Sequence, residues 1–250
     1  MPDAARLDDV RTTLSGVPCL QGVRLALEAG RMHALVGPGG SGKTLILKTI
    51  ATLLPPDSGT VSLFGEPVPF GDEDRLRQIR SRIGVQFQNL ALFDFLTVGD
   101  NVALPLEEVS PPLSPEERDR RVAASLQAVR LPGGVADLPI QALSGGMQRR
   151  VAVARAAVAR PDLLLFDDPA GGLDPVTTSR IFDLISREQR QTGATVVITS
   201  HDIPRLARCC SRFHLADAGT ILFSGTLEDA RSHPDPRVRD FFQEVQDAAR

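Results

Sequence analysis

The chain has 250 residues, a formal net charge of −3 and 42% hydrophobic residues, which fits one large folded domain and excludes a disordered chain. The near-neutral charge and the lack of tryptophan and tyrosine argue against nucleic-acid binding. The cysteine pattern favours reduced thiols in a cytosolic protein, and the sequence has neither an apolar run of about 18 residues nor an apolar leader, so we predict no membrane-spanning helix and no signal peptide.

Strands and helices are predicted to alternate in the N-terminal part of the chain. Residues 20–36 first alternate between polar and apolar and then become apolar, which predicts strands around a turn at Glu28–Arg31. The stretch GPGGSGKT follows at 37–44 and opens a predicted helix that Pro55 and Pro56 end. Two further strand regions are predicted, a strand pair at 58–68 and a strand at 83–88.

The middle of the chain, about residues 89–160, is predicted to be mostly helical. The stretch SPEE at 114–117 provides a capping serine, a proline at the first helical position and a glutamate three residues after the cap. This pattern predicts a helix that ends near Arg130. A second helix is predicted at about 146–159, and Pro161 is expected to end it.

The C-terminal part is predicted to return to alternating strands and helices. The predicted elements are a strand at 162–167, a helix at 175–192, a strand at 194–200, a strand pair near 213–224 and a final helix. We therefore predict a single α/β domain over residues 1–250, with a parallel-sheet core at about 1–88 and 161–232, an inserted helical subdomain at about 89–160 and a C-terminal helix at about 235–249.

The stretch GPGGSGKT matches the phosphate-binding pattern G-x-x-x-x-G-K-[ST] and lies between a predicted strand and a predicted helix, as that pattern requires. Its glycines let backbone amides curl around phosphate oxygens, and the helix N-terminus adds partial positive charge. Lys43 is expected to reach the β- and γ-phosphates of a nucleotide, and Thr44 is expected to ligate Mg²⁺. The alternative, an ordinary glycine-rich turn, is disfavoured by the flanking elements. The predicted nucleotide-binding residues of this loop are Gly37, Pro38, Gly39, Gly40, Ser41, Gly42, Lys43 and Thr44.

Two aspartates follow the apolar run LLLF at 163–166, and an apolar run of this kind is how a buried strand delivers carboxylates to its tip. Asp167 is predicted to hold Mg²⁺ beside the nucleotide, and a strand-end turn is the alternative role for it. Asp168 is the candidate for activating the attacking water.

The stretch LSGGMQRR at 143–150 provides a second set of groups that can bind phosphate. Ser144, Gly145 and Gly146 precede a predicted helix, so a hydroxyl and backbone amides can face an anion there. Because the chain already has one phosphate loop, the second set suggests a head-to-tail dimer. Each ATP would then lie between one chain's loop and the LSGGM stretch of its partner.

Five elements in this order resemble the ATP-binding cassette (ABC) ATPases: GPGGSGKT, Gln88 in VQFQ, LSGGM, LLLFDDP with the loop of Asp174, and His201 in TSHD. The resemblance covers nearly the whole chain. It implies an α/β fold of the P-loop NTPase (RecA-like) class, with a mostly parallel sheet, an N-terminal antiparallel β subdomain and an inserted α-helical subdomain. It also implies an ATPase that uses ATP and Mg²⁺.

The resemblance implies a role for each matching residue. Gln88 matches the glutamine that touches Mg²⁺ and the attacking water and senses a permease. Asp168 stands where the family has a glutamate that polarises this water. Ser144–Gly146 match the groups that close on the partner's γ-phosphate, and Asp174 matches an aspartate at the dimer seam. His201 matches the histidine that contacts the γ-phosphate, although by itself it would be an ordinary surface-loop histidine.

Within this family the chain resembles the ATPases that serve MCE-domain lipid transporters, the Mla type. Met147, the segment 88–106 and the tail 233–242 carry this resemblance, and the tail alone would be an ordinary core-packing helix. The resemblance implies a homodimer, an integral-membrane permease, an MCE-domain substrate-binding protein and a position on the cytoplasmic face of the inner membrane. An ATPase of a polar amino-acid importer is the alternative. A soluble ABC protein that acts on translation or DNA is a third, which the single cassette disfavours.

Two positions depart from the family's pattern. Leu14 stands where an aromatic residue usually stacks on adenine, so a stacking contribution of roughly 1–3 kcal/mol is missing, and an apolar contact is the alternative that Leu14 leaves open. We therefore expect modest ATP affinity and weak discrimination between ATP and GTP. Asp168 is one methylene shorter than glutamate, which removes about 1.5 Å of reach. Because misplacing a catalytic group by about 1 Å can cost around a hundredfold in rate, we expect slow hydrolysis.

Overall fold

The computed structural model describes residues 3–109, 111–132 and 134–247, with the backbone alone for residues 244–247. The chain divides into two compact units. The first unit consists of Met1–Leu76 and Thr195–Arg250, and the second unit consists of Arg77–Ala194.

The secondary-structure elements alternate along the chain as the sequence predicts. The strands of the described residues are β1 (Asp3–Leu14), β2 (Val17–Glu28), β3 (Met32–Val36), β4 (Ser58–Leu63), β5 (Glu66–Pro67), β6 (Ile83–Gln86), β7 (Leu163–Asp167), β8 (Thr195–Thr199), β9 (Arg212–Asp217) and β10 (Thr220–Gly225). The α-helices are α1 (Lys43–Ile50), α2 (Glu73–Arg80), α3 (Val98–Ala103), α4 (Pro115–Ala128), α5 (Gly145–Ala157), α6 (Pro175–Thr192), α7 (Ile203–Cys209), α8 (Leu227–Arg231) and α9 (Pro236–Asp247). Short 3-10 helices lie at Leu104–Glu108, Val135–Asp137 and Ile140–Ala142.

The first unit contains an antiparallel sheet in the order β2, β1, β4, β5. Its 12-residue strand β1 is not among the predicted strands. Ala5, Leu7 and Val10 of β1 are buried on one face, but a register shift between Leu7 and Val10 interrupts the alternation. Asp9 lies at this irregularity with a φ of 51°, which hides the strand from a simple period-two pattern.

The same unit contains β3 hydrogen-bonded in parallel to both β8 and β9, with β10 antiparallel to β9. Every residue of β3 and β8 is buried, as expected for the interior strands of a parallel sheet. The carboxyl ends of these strands therefore meet at one edge, where ligands bind in α/β folds of this kind.

Two buried histidines form a hydrogen-bonded chain inside the first unit. His33 Nε2 lies 3.0 Å from the carbonyl oxygen of Glu28, His33 Nδ1 lies 3.0 Å from His214 Nε2, and His214 Nδ1 lies 2.9 Å from Ser224 Oγ. A carbonyl oxygen can only accept, so His33 Nε2 donates to Glu28 and His33 Nδ1 accepts from His214 Nε2. His214 Nδ1 in turn accepts from the Ser224 hydroxyl. Burial is the largest cause that lowers the pKa of His33, and it is also the largest cause that lowers the pKa of His214, to about 3. Both rings are therefore neutral at pH 7.

The second unit contains β6 paired in parallel with β7, together with α3 to α6. The predicted cap at Ser114 is present, since its Oγ accepts a hydrogen bond from the Glu117 amide at 3.3 Å and α4 begins at the next residue. The helix predicted at 175–192 coincides with α6, which Asp174 caps and which Gly193 ends with a φ of 72°.

The predicted C-terminal helix corresponds to α9, and residues 248 and 249 of that prediction lie outside the described residues. None of the helices in the described ranges is both long enough and apolar enough to cross a bilayer.

Candidate active site

The phosphate-binding stretch of the first unit lies between β3 and α1, as the sequence predicts. Gly37 has a φ of 145°, and Gly42, the cap of α1, has a φ of 100°, both in the region that disfavours other residues. A Cβ atom on Gly37 would overlap the carbonyl oxygen of Ala216 in β9. The chain can therefore make its tight turn at the end of β3 only with glycine at this position.

Lys43 holds its ammonium group over this turn. Its Nζ donates hydrogen bonds to the carbonyl oxygens of Gly37 at 2.9 Å and Pro38 at 2.7 Å, and to Ser41 Oγ at 3.3 Å. A positive charge and the N-terminus of α1 thus lie together, which stabilises a bound phosphate. Thr44, in the first turn of α1, adds a hydroxyl oxygen, a hard ligand of the kind that Mg²⁺ prefers.

His201 lies at the same edge of the sheet as the phosphate loop. Leu35 of β3 pairs with Thr199 of β8 in parallel, so the two segments leave their strands side by side. His201 is exposed, and its neighbours fix the turn around it. Ser200 Oγ accepts a hydrogen bond from the Asp202 amide at 3.1 Å, and Asp202 caps α7 by accepting from the Arg205 amide at 3.1 Å.

Gln88, Asp167 and Asp168 lie at one edge of the paired strands of the second unit. Gln86 of β6 pairs with Phe166 of β7 in parallel, so the residues that follow emerge together. Asp167 ends β7 and is buried, with 5% of its surface exposed, whereas Gln88 is exposed and Asp168 is half-buried. This is the arrangement expected of a buried metal-binding carboxylate followed by an accessible base.

Asp168 occupies a left-handed turn with a φ of 47°. Its carbonyl oxygen accepts a hydrogen bond from the Gly171 amide at 3.2 Å, and its carboxylate lies over Gly171 so closely that a Cβ atom there would overlap it. The carboxylate position therefore depends on the backbone of the 168–171 turn as well as on the length of the side chain.

Two helix N-termini of the second unit carry the remaining predicted residues. Ser144 caps α5 by accepting a hydrogen bond from the Met147 amide at 3.3 Å, and Gly145 and Gly146 form the first turn. Asp174 caps α6 by accepting from the amides of Val176 and Thr177, each at 3.0 Å. Hydrogen bonding to Thr177 is the largest cause that lowers the pKa of Asp174.

Comparison with known proteins decides the family. The family model described as ABC transporter matches residues 20–171, which include both phosphate-binding stretches and the strand-end aspartates. The chain belongs to the ABC transporter family. The resemblance inferred from the motifs is confirmed, and this ABC ATPase binds ATP with Mg²⁺ and couples ATP hydrolysis to transport.

Two groups of relatives are equally similar in sequence to this ABC ATPase. The intermembrane phospholipid transport system ATP-binding protein MlaF of Escherichia coli K12 is 36% identical over 239 residues, covering 96% of this chain and 88% of that protein. The methionine import ATP-binding protein MetN 2 of Pseudomonas aeruginosa UCBPP-PA14 is 36% identical over 231 residues, covering 92% and 68%.

Solved structures confirm the predicted P-loop NTPase fold. The ATP-binding cassette MJ0796, solved as a dimer in a post-hydrolysis state with ADP and phosphate, has a TM-score of 0.83 and 32% identity, covering 89% of this chain and 98% of that one. CbiO1 of Clostridium perfringens, part of an ABC transporter complex, has a TM-score of 0.80 and 25% identity, covering 97% and 100%.

Some features of the ABC ATPase site carry no strong sequence signal. Leu14, which stands where the family usually has an aromatic residue, lies at the end of β1 with 38% of its surface exposed. The sequence analysis assigns no role to Arg149 and Arg155 of α5, yet each donates to a backbone carbonyl in a loop that carries a predicted catalytic residue. The sequence shows that both arginines belong to the stretch LSGGMQRRVAVAR, but it does not show which backbone carbonyl oxygens accept their hydrogen bonds.

Proposed function

We propose that this chain is the ATPase subunit of an ABC transporter that moves phospholipid together with an MCE-domain protein. The observation that carries the proposal is that the phospholipid transport ATP-binding protein MlaF is 36% identical to this chain over 96% of its length. The Mla-type resemblance of Met147, of residues 88–106 and of residues 233–242 supports the same choice. An importer of a polar amino acid or another solute is the second candidate, because the methionine import protein MetN 2 is also 36% identical.

We propose that two copies work as a head-to-tail dimer at the cytoplasmic face of the inner membrane, with one ATP bound between each phosphate loop and the partner's Ser144–Gly146. Ser144 and Gly145 at the start of α5 are exposed, which supports this arrangement because a second chain can reach them. The dimeric MJ0796 cassette, which has the same fold, also supports it. ATP would close the dimer, and hydrolysis would reopen it.

Each predicted site residue has a proposed role in the reaction. Lys43 would neutralise the β- and γ-phosphates, and the oxygens of Thr44 and Asp167 would hold Mg²⁺, which supplies charge neutralisation at the γ-phosphate. Asp168 would accept a proton from the attacking water. The three remaining predicted contacts are Gln88 with this water and Mg²⁺, His201 with the γ-phosphate and Asp174 with the dimer partner.

An exposed aromatic pair in the segment after Gln88 supports contact with a permease. Phe93 and Phe95 are 45% and 83% exposed, with ring centroids 5.5 Å apart. Buried Asn101 holds their loop in place, since its side chain accepts from the Phe93 amide at 2.8 Å and donates to the Phe93 carbonyl at 3.0 Å. Exposed aromatic groups on a loop that a buried side chain holds by hydrogen bonds are typical of a protein-docking surface.

The experiment that tests this function is co-purification with the permease encoded beside this chain, followed by lipid identification and ATPase assays in nanodiscs. We expect an MCE-domain protein and phospholipid in the complex, with turnover that depends on both. A periplasmic binding protein in the complex, with turnover stimulated by an amino acid, would establish the importer instead. Purification without any permease would favour a soluble ABC protein.

A further inference from the structure

Helix α5 is attached by arginine side chains to both loops that carry predicted catalytic groups of the second unit. Arg149 Nη2 donates to the carbonyl oxygen of Gly171, in the turn that begins at Asp168. Arg155 donates to the carbonyl oxygens of Ala91 at 2.6 Å and Leu90 at 2.5 Å, in the turn that follows Gln88. The two arginines thus contact two different loops from the same helix.

The turn after Gln88 is one that the backbone would not adopt unaided. Leu90 and Ala91 have φ angles of 58° and 48°, and a left-handed conformation costs a residue other than glycine roughly 1–2 kcal/mol. Two such residues in succession persist only where the surroundings hold them. The half-buried guanidinium of Arg155 satisfies both of their carbonyl oxygens in a forked geometry that lysine cannot reproduce.

The turn after Asp168 is similarly dependent on its contacts. The Asp168 carboxylate lies against Gly171, whose carbonyl oxygen accepts from Arg149. Arg149 Nε is buried and has no hydrogen-bond partner among the described residues, so keeping the guanidinium there has a desolvation cost. A half-buried guanidinium that holds the backbone beside a predicted base while its Nε lacks a partner fits a positioning role better than a contribution to stability.

We propose that Arg149 and Arg155 are positioning residues for ATP hydrolysis, Arg149 through Asp168 and Arg155 through Gln88. The inference rests on the proposed roles of Asp168 and Gln88. Helix α5 begins at Ser144–Gly146, the residues proposed to bind the γ-phosphate. Through Arg149 and Arg155, the same helix also holds the two loops that are proposed to act on the attacking water.

The test measures single-turnover ATP hydrolysis and ATP affinity for Arg149→Met and Arg155→Met, which keep much of the apolar side chain but remove the donors. Each change is made alone and together with Asp168→Asn or Gln88→Ala. We expect each arginine variant to slow hydrolysis about tenfold to a hundredfold, the range for an ångström-scale misplacement, with ATP affinity within about twofold of the parent. Arg187→Met, an exposed arginine of α6, is the matched control and should leave the rate unchanged.

The decisive readout is the pattern of coupling. The cost of Arg149→Met should vanish beside Asp168→Asn and persist beside Gln88→Ala, and Arg155→Met should show the reverse pattern. Costs that multiply in every background, or an equal loss of ATP affinity, would overturn the positioning roles. Should a methionine variant fail to fold, Arg149→Lys and Arg155→Lys replace it, and we expect partial rescue at Arg149 and little at Arg155.

The proposed function and this inference fail in different ways. If Asp168→Asn and Gln88→Ala alone leave hydrolysis unchanged, the catalytic assignments are wrong and the inference falls with them. If those variants slow hydrolysis to a residual but measurable rate and the arginine costs still multiply with theirs, only the positioning roles are overturned.

Discussion

Lengthening Asp168 by one methylene, through Asp168→Glu, should accelerate ATP hydrolysis. The side chain would gain about 1.5 Å of reach toward the attacking water. A misplacement of about 1 Å can cost around a hundredfold, so recovery of the lost reach should raise turnover by roughly tenfold to a hundredfold. Asp168→Asn, which removes the base, should nearly abolish turnover.

The structure adds a condition to this magnitude. Asp168 has a φ of 47°, a conformation that aspartate tolerates better than most residues. Glutamate at this position should therefore lower the free energy of unfolding, by less than about 1 kcal/mol. Its carboxylate already contacts the Gly171 backbone, and the longer side chain must extend past that contact to reach the water. The gain in rate should therefore fall toward the lower end of the range if the turn stays fixed.

The assay is phosphate release at saturating ATP and Mg²⁺, with single-turnover hydrolysis to isolate the chemical step. Asp183→Glu, which adds the same methylene to an exposed aspartate of α6, is the matched control and should leave the rate unchanged. Unchanged turnover in both Asp168→Glu and Asp168→Asn would refute the assignment of the base. Slower turnover in Asp168→Glu alone would refute the argument from reach and show that the turn already places the shorter carboxylate correctly.

Three other changes test packing, protonation and docking. Gln86→Leu should raise the free energy of unfolding by roughly 1–3 kcal/mol in urea titrations. The reason is that the side-chain amide oxygen and nitrogen of Gln86 are buried without a hydrogen-bond partner among the described residues. A lower free energy of unfolding in the variant would show that the amide has a partner. The pKa of His214 is about 3 when folded and higher when unfolded, so stability should fall as pH drops below about 6.5 toward 3. The fall should reach about 1.4 kcal/mol per pH unit from this residue, and His214→Gln should remove that part of the slope; equal slopes would contradict it. Phe95→Ser should weaken capture by the permease about tenfold or more in pull-down assays. The control Leu53→Ser, which also removes an exposed apolar side chain, should leave capture unchanged. Equal losses of capture in the two variants would mean that the aromatic pair is not the docking surface.

The parts of the fold that could be predicted are those encoded by neighbouring residues. The bounds of α6 follow from its capping aspartate, from Pro175 at the first helical position and from Gly193 at its end. The phosphate loop was equally predictable, because its glycines are required by local backbone angles. For α6 the residues within a few positions contain the physical reason for its bounds, whereas the glycine at position 37 also depends on the distant carbonyl oxygen of Ala216.

The parts that could not be predicted depend on distant partners or on irregular backbone. Strand β1 has a register shift near Asp9, and its charged residues hide the buried positions. Arg149 lies 22 residues from its acceptor and Arg155 lies 64 and 65 residues from its acceptors. Carbonyl oxygens accept regardless of residue type, so nothing in the sequence identifies which carbonyls an arginine will find.

The residue that departs from the family's pattern is also one whose backbone is unusual. A shorter side chain at position 168 reduces reach, but aspartate is also among the residues that best tolerate the left-handed conformation found there. The two effects act on different quantities, since the first lowers the rate of the chemical step and the second favours the folded turn. Asp168→Glu should therefore hydrolyse ATP faster and be slightly less stable, and that combination would show that reach and backbone preference oppose each other at this position.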